Sequence, residues 1–495
     1  MNMDKPVRRV AIFGGLLMFG LMAQVNYVQG TQAESLRTHS KNPRQYAGVF
    51  NSPRGDIIAG GQVLAKSIAT GKSNPKFGRT YQDGAIFSPV TGFFNGNASK
   101  VERGYNGLLS GTDKRITQQR WFDMFIGKKP LGANVELALN TAAQKAAYQA
   151  LQGSVSPGRR GGVVVMDVKT GAVVVMASYP SFDPNEIAPQ KGTAGIKRFT
   201  ELDNAKGVVK PLIDNAMSQT FPPGSAYKTV VAALEMETKG LNTRSLVETG
   251  PLRLPESNRN LPNSHDTGAC AGQAPLIEAF AESCNTTFGR LALDMGMPKL
   301  AEGSAKFGFG KDVFVEPRVP AAKSDVPVQF YNMTTKKMET TGQDGTARSG
   351  IGQENVRATP LQMAMVAAAV ANNGKIMKPY LVERVRAKDQ SVLYQANAEE
   401  YAQPIKSGTA DQLAEMMRAV VTTGTAKNLQ GQNIAGKTGT AEQDETGRFN
   451  ARWFVGFSPM QNPRYAFAVV TEGPGSAATN AGPIAGRVMS AVLRK

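Results

Sequence analysis

After Lys5, Arg8 and Arg9 the chain runs through "VAIFGGLLMFGLMA", fourteen positions without a strongly polar side chain. Val10 to Val28 is long enough to cross a bilayer as a helix, and the cations before it hold the N-terminus inside. The same run suits the core of a cleaved signal peptide, with Val28-Gln29-Gly30 as a small-residue cleavage site. Both readings export the rest of the chain. Residues 29 to about 130 set short apolar pieces such as "GDIIAGGQVLA" among Gly, Ser, Asn and Lys, the pattern of a β-rich, loop-heavy unit. "NVELALNTAAQKAAYQALQG" then predicts a strand and an amphipathic helix that Asn140 caps and Gly153 ends. "GGVVVMDVKTGAVVVMASYP" places two β-branched runs either side of a turn, a hairpin signal. Helical periodicity follows over 225–239, about 275–295, 359–373 and 409–422, the last with Thr409 and Gln412 spaced as a capping box. "RWFVGFSP" and "RYAFAVVTE" close the chain as two strands. A hairpin early and strands late predict one antiparallel sheet fed from both ends of an α+β domain. The expected division is therefore 1–9 cytoplasmic, 10–28 membrane anchor, 29–155 N-terminal domain and 156–495 C-terminal domain.

A length of 495 residues exceeds what one core organises, which agrees with that division. A formal charge of +18 makes the exposed surface cationic, suited to headgroups, wall polymers or nucleic acid. Export and the lack of any recognisable module argue against nucleic acid. Export also permits a disulfide between the only two cysteines, Cys270 and Cys284, worth roughly 3 kcal/mol by chain entropy. The other reading of the pair is two buried thiols. His265 lies near Cys270, but one histidine and two cysteines fall short of a zinc set, so no metal is expected.

Gly431 to Thr438 matches the phosphate-binding loop G-x-x-x-x-G-K-T letter for letter. Such a loop needs a strand before it and a helix directly after, whose first amides hold the phosphates. Here a helical pattern precedes and the polar loop "TAEQDETGRFNAR" follows, and ATP is not an extracellular currency. No nucleotide is expected. The same lysine begins Lys437-Thr438-Gly439, which changes the chemistry to serine acyl transfer. A serine hydroxyl needs a base beside it, and a lysine three residues along a helix lies on the same face. Ser73-x-x-Lys76 holds a proline and a turn-like flank. Ser225-x-x-Lys228 instead follows "FPPG" and opens an apolar helix, which puts Ser225 where free amides favour an oxyanion. Ser283-x-Asn285 and Lys437-Thr438-Gly439 come after it, completing the three-motif set of penicillin-recognising serine enzymes in order. Ser40-Lys-Asn42 precedes the nucleophile, and Lys406-Ser-Gly408 precedes a helix, so neither competes.

On these motifs the chain resembles a class B penicillin-binding protein, a membrane-anchored D,D-transpeptidase of peptidoglycan synthesis. "MDVKTGAVVVMASYPSFDPN", "FPPGSAYK", "IGQENVRATPLQMA" and "GKTGTAE" followed by "WFVGFSP" carry the likeness along the C-terminal domain. "SPRGDIIAGGQVLA" is similar to the first pedestal motif, with Ala59-Gly60 in place of the usual Asp-Arg. "RTYQDGAIFSPVTGFF" and "ERGYNGLLSGTDKR" point to the compact penicillin-binding protein A-like subgroup of actinobacteria. The resemblance implies a transpeptidase fold on a β-rich pedestal. It implies that Ser225 attacks the D-Ala-D-Ala carbonyl, with Lys228 as base, Ser283 as proton relay and Asn285 on the substrate amide. Thr438 and Thr440, aided by Lys437, would hold the terminal carboxylate where Gly439 lets backbone approach closely, and the amides of Ser225 and Thr440 would form the oxyanion hole. It further implies β-lactams as trapping ligands, no cofactor, the membrane as location, and a membrane glycan polymerase as partner. Two alternatives share the motifs: a penicillin-binding sensor or scaffold without turnover, and a D,D-carboxypeptidase or β-lactamase-like hydrolase.

Overall fold

A computed structural model describes residues 4–32, 49–119, 131–264, 266, 268–443, 447 and 449–494. Helix α1 (Asp4–Tyr27) continues through a π-turn (Val28–Gln32), and its apolar side chains from Val7 to Tyr27 are exposed. The helix from Lys5 to Gln32 is long and apolar enough to cross a membrane. The decoy Ser40-Lys-Asn42 and His265 lie outside the described residues.

Two sheets organise the remainder. Strands β1 (Ile57–Ala59), β2 (Gln62–Ala69), β3 (Phe77–Tyr81) and β4 (Asn134–Leu137) come from the N-terminal part. After them come helix α2 (Thr141–Ser154) and the hairpin β5 (Gly161–Asp167) and β6 (Val173–Tyr179). The N-terminal sheet is completed from far downstream, by β7 (Val382–Arg386) and β8 (Val392–Gln395), in the order β8-β7-β4-β1-β2-β3. Only β1 and β4 run parallel in it. At its edge Glu102, fully buried, accepts from Arg54 at 2.7 Å and Arg79 at 2.7 Å, with Tyr81 at 3.2 Å. The two guanidiniums hold the Glu102 carboxyl below its ordinary value despite burial that pushes it up.

The second sheet is the expected one. Strands β9 (Ala435–Ala441), β10 (Ala451–Ser458) and β11 (Tyr465–Glu472) pair antiparallel with β5 and β6 in the order β9-β10-β11-β5-β6, so both ends of the domain meet where β11 lies beside β5. Helix α2 and the last helix (Ala481–Leu493) pack together on one face of this sheet. Asn140 caps α2 as its sequence predicts, accepting from Ala143 N at 3.0 Å. The other face is covered by Pro360–Ala371, buried at all twelve positions as a helix apolar all round must be, with Thr359 as its N-cap.

Two local expectations change. The helix expected over 275–295 is two, Leu276–Ala281 and Asn285–Met295, broken where Ser283 takes a left-handed φ of 63°. At the break Cys284 is bonded to Cys270, upstream of the segment, with Cα atoms 5.4 Å apart, and the Ser283 carbonyl accepts from Lys228 rather than continuing the helix. The Thr409–Gln412 capping box does not form at the start of Ser407–Thr422 either. Glu237, at the end of the neighbouring helix Lys228–Lys239, takes both donors, Lys406 N at 2.8 Å and Thr409 Oγ1 at 2.6 Å. Gln412 turns instead to Thr243 N at 3.1 Å. The helix starts at Ser407 with Lys406 in the cap position, so Thr409 lies inside the first turn and its hydroxyl donates outward to the carboxylate rather than accepting from Gln412 N.

Candidate active site

Ser225 stands on a 3-10 turn, Gly224–Tyr227, that leads directly into the helix Lys228–Lys239. From Phe221 to Met236 it is the one residue that keeps solvent exposure. Three close approaches fix the turn. Trp453 Nε1, on β10, donates to Pro222 O at 2.9 Å, and Gly224 N donates to Gly352 O at 2.9 Å. Gly224 has a φ of 53°, and a Cβ there would sit 2.4 Å from Thr440 O. A Cβ on Gly439 would meet Pro223 O at 2.6 Å. Glycine at these two positions therefore lets strand β9 lie directly against the serine turn.

Lys228, one helical turn from Ser225, is fully buried and gathers the second motif around its ammonium. Its Nζ donates to Ser283 O at 2.7 Å, Asn285 Oδ1 at 2.7 Å and Ser283 Oγ at 3.2 Å. The left-handed φ of Ser283 is what aims both its carbonyl and its hydroxyl region at that point. Asn285 is held at its other end by Pro262 O, 2.7 Å from Nδ2. Lys437 is also fully buried, with Nζ 5.4 Å above the Phe280 ring. Burial pushes the Lys228 ammonium well below the lysine range, and the charge of Lys437 pushes it further. Burial likewise lowers Lys437, to about 7, with Glu282 pulling it partly back. The site thus holds two desolvated cations.

Strand β9 is the edge of its sheet, and Thr440 is the only exposed residue on it. Thr438 is nearly buried, and its hydroxyl meets that of Thr425 at 2.6 Å. All three motifs therefore converge, with Ser225, Lys228, Ser283, Asn285, Lys437, Thr438, Gly439 and Thr440 gathered where β9 packs against the serine turn. Thr425 and the bridged Cys284 within the second motif complete the setting. Thr425 escapes sequence reading because "TTGTA" has no spacing relation to the motifs. Among the described residues no three His, Cys, Asp or Glu side chains converge as metal ligands, and both cysteines are in the bridge.

A part-exposed serine, a buried lysine of lowered proton affinity one helical turn from it and a second buried lysine on an edge strand are the arrangement of a serine acyltransferase that recognises an anionic acyl donor. Comparison with known proteins agrees. Residues 161–494 match the penicillin binding protein transpeptidase domain, and residues 54–135 match the penicillin binding protein A dimerisation domain. The chain is 33% identical to the peptidoglycan D,D-transpeptidase PbpA of Mycolicibacterium smegmatis, over 100% of both chains. It is 31% identical to PbpA of Mycobacterium tuberculosis, over 99% of this chain and 98% of that one. Its fold is similar to penicillin-binding protein A from M. tuberculosis solved as an imipenem acyl-enzyme, with TM-score 0.80, 29% identity and coverage of 92% and 100%. The penicillin G acyl-enzyme of the same protein gives TM-score 0.79 at 30% identity, covering 90% and 100%. The chain belongs to the class B penicillin-binding proteins, the D,D-transpeptidase family, and within it to the penicillin-binding protein A-like subgroup.

Proposed function

We propose that this protein crosslinks peptidoglycan stem peptides through an acyl-enzyme on Ser225. The observation that carries the reading is the Lys228 ammonium, buried and bonded to Ser283 and Asn285 on the helix that begins at the serine turn. Lys228, its ammonium disfavoured by burial and by the charge of Lys437, takes the Ser225 proton in its neutral form as Oγ attacks the penultimate D-Ala carbonyl. The amides of Ser225 and Thr440 receive the oxyanion. On collapse the C–N bond breaks, and Ser283 relays the proton to the departing D-Ala amine. An acceptor amine then attacks the ester, its proton returns by the same route, and Ser225 is released. Thr438 and Thr440 hold the donor's terminal carboxylate, and Lys437 supplies the charge. That carboxylate stabilises the charged form of Lys437, so substrate binding and protonation reinforce one another. Asn285, whose Oδ1 is already engaged by Lys228, both positions the base and offers its amide to the substrate backbone.

β-Lactams enter as mimics of the acylated donor. The N-terminal helix anchors the protein by a single pass with the catalytic domain outside the cell, and residues 29–155 serve as the pedestal that presents it. A membrane glycan polymerase supplies the nascent strands. Labelled penicillin tests the nucleophile: the ectodomain should be labelled covalently and Ser225→Ala should not, whereas a labelled alanine variant removes the assignment. Product analysis separates the chemistries. A donor peptide with a D-amino acid acceptor should yield exchanged product; hydrolysed tetrapeptide alone means a carboxypeptidase, and a stable acyl-enzyme without product means a sensor.

A further inference from the structure

The turn between the helix Ser407–Thr422 and β9 touches both the segment that leads to Ser283 and strand β9. Gly424 lies so close to Ala281 that a Cβ would sit 2.4 Å from its carbonyl oxygen, and Thr425 N donates to that same carbonyl at 3.2 Å. Ala281 is the last residue of its helix, just before Ser283. From this seat Thr425 Oγ1 reaches Thr438 Oγ1 at 2.6 Å. The chain of contacts therefore runs from the Ser283 segment through Thr425 to the strand residue read above as a carboxylate ligand.

We infer that Thr425 is a positioning residue that donates its hydroxyl proton to Thr438, so that Thr438 presents its own proton to the carboxylate of the acyl donor. The inference rests on the proposed role of Thr438. The logic is that of donor count. Two hydroxyls at 2.6 Å share one proton, and a carboxylate can only accept. Thr438 can serve the carboxylate only if Thr425 is the donor between them. The alternative arrangement, Thr438 donating to Thr425, turns its lone pairs towards the anion and repels it. The fixed Thr425 backbone selects the rotamer of Thr438 before substrate arrives, as preorganised donors must.

Acylation by benzylpenicillin and by its methyl ester, which lacks the carboxylate, tests this in Thr425→Val, Thr425→Ser, Thr438→Val and the double valine variant. Thr425→Val should acylate about tenfold more slowly with the acid and unchanged with the ester, the loss expected for one hydrogen bond to a charged group. Thr425→Ser should recover the rate, and Thr425→Val should cost nothing further in the Thr438→Val background. Equal slowing of acid and ester, or no recovery with serine, overturns the inference and leaves the role of Thr438 standing. If Thr438→Val itself fails to separate acid from ester, the carboxylate role of Thr438 falls and the inference with it. Thermal unfolding of each variant keeps a folding defect from passing as either result.

Discussion

The molecule buries charge in two places, and treats it oppositely. In the N-terminal region Arg54, Arg79 and Glu102 lie out of water but share hydrogen bonds of 2.7 Å with one another. In the active site Lys228 and Lys437 lie equally deep, and their hydrogen bonds run to neutral groups, Lys228 to the Ser283 carbonyl and hydroxyl and the Asn285 amide oxygen, Lys437 to the Thr438 carbonyl. The first arrangement compensates desolvation and keeps its groups ionised. In the second, desolvation outweighs what the neighbouring groups return, which lowers the proton affinity of both lysines. The paired cluster fixes architecture. The lysine pair favours an incoming anion and eases proton transfer, which is what an acyl-transfer site needs.

Exchanging single charges should separate the two regions. The largest effect is expected for Lys228→Met, where loss of the base slows penicillin acylation on the order of a thousandfold. The same change removes a desolvated lysine but leaves the Ser283 carbonyl and Asn285 Oδ1 without their donor, so thermal unfolding should shift only modestly, and acylation of the folded variant at the parent's rate would remove Lys228 as the base. Glu102→Gln should do the reverse. It strands two buried guanidiniums and should cost about 3–5 kcal/mol of stability, seen as earlier thermal unfolding, while the acylation rate of the folded protein holds. A matching loss of acylation rate would show that the two regions are not independent.

The smallest and most graded effect is that of pH. Lys228 accepts a proton only when neutral, so acylation should rise with pH through its lowered value. Lys437 attracts a carboxylate only when charged, so acylation by a free acid should fall again above about 7. Rates measured with benzylpenicillin should therefore follow a bell. With its methyl ester the alkaline limb should disappear, and an unchanged limb would detach Lys437 from carboxylate recognition.

Much of this contrast was legible in the residues and some of it was not. The hairpin at 161–179 and the closing strands were readable because short continuous apolar, β-branched or aromatic runs bounded by turn residues mark buried strands locally. The membership of Val382–Arg386 and Val392–Gln395 in the N-terminal sheet was not, because alternation identifies a strand without naming its partner. Periodicity also overran Ser283, since its positive φ goes with contacts to Lys228, distant in the chain, that helical spacing does not register. The start of the helix at Ser407 rather than at Thr409 was equally unmarked, since the group that accepts from Lys406 N is Glu237, on another helix.

By itself the sequence determined the chemistry: which serine lies one turn before a lysine, which Ser-x-Asn and Lys-Thr-Gly follow, and that an apolar N-terminal run precedes them. These are statements about order and spacing along one chain, and local geometry converts them into roles. Tertiary structure alone decided how that chemistry is set. It bonded Lys228 to residues more than fifty positions away, lowered Lys437 by burial, broke a helix at Ser283 and placed Thr425 against Thr438. Each depends on which distant atoms exclude water or offer a proton, and no spacing within a motif encodes that.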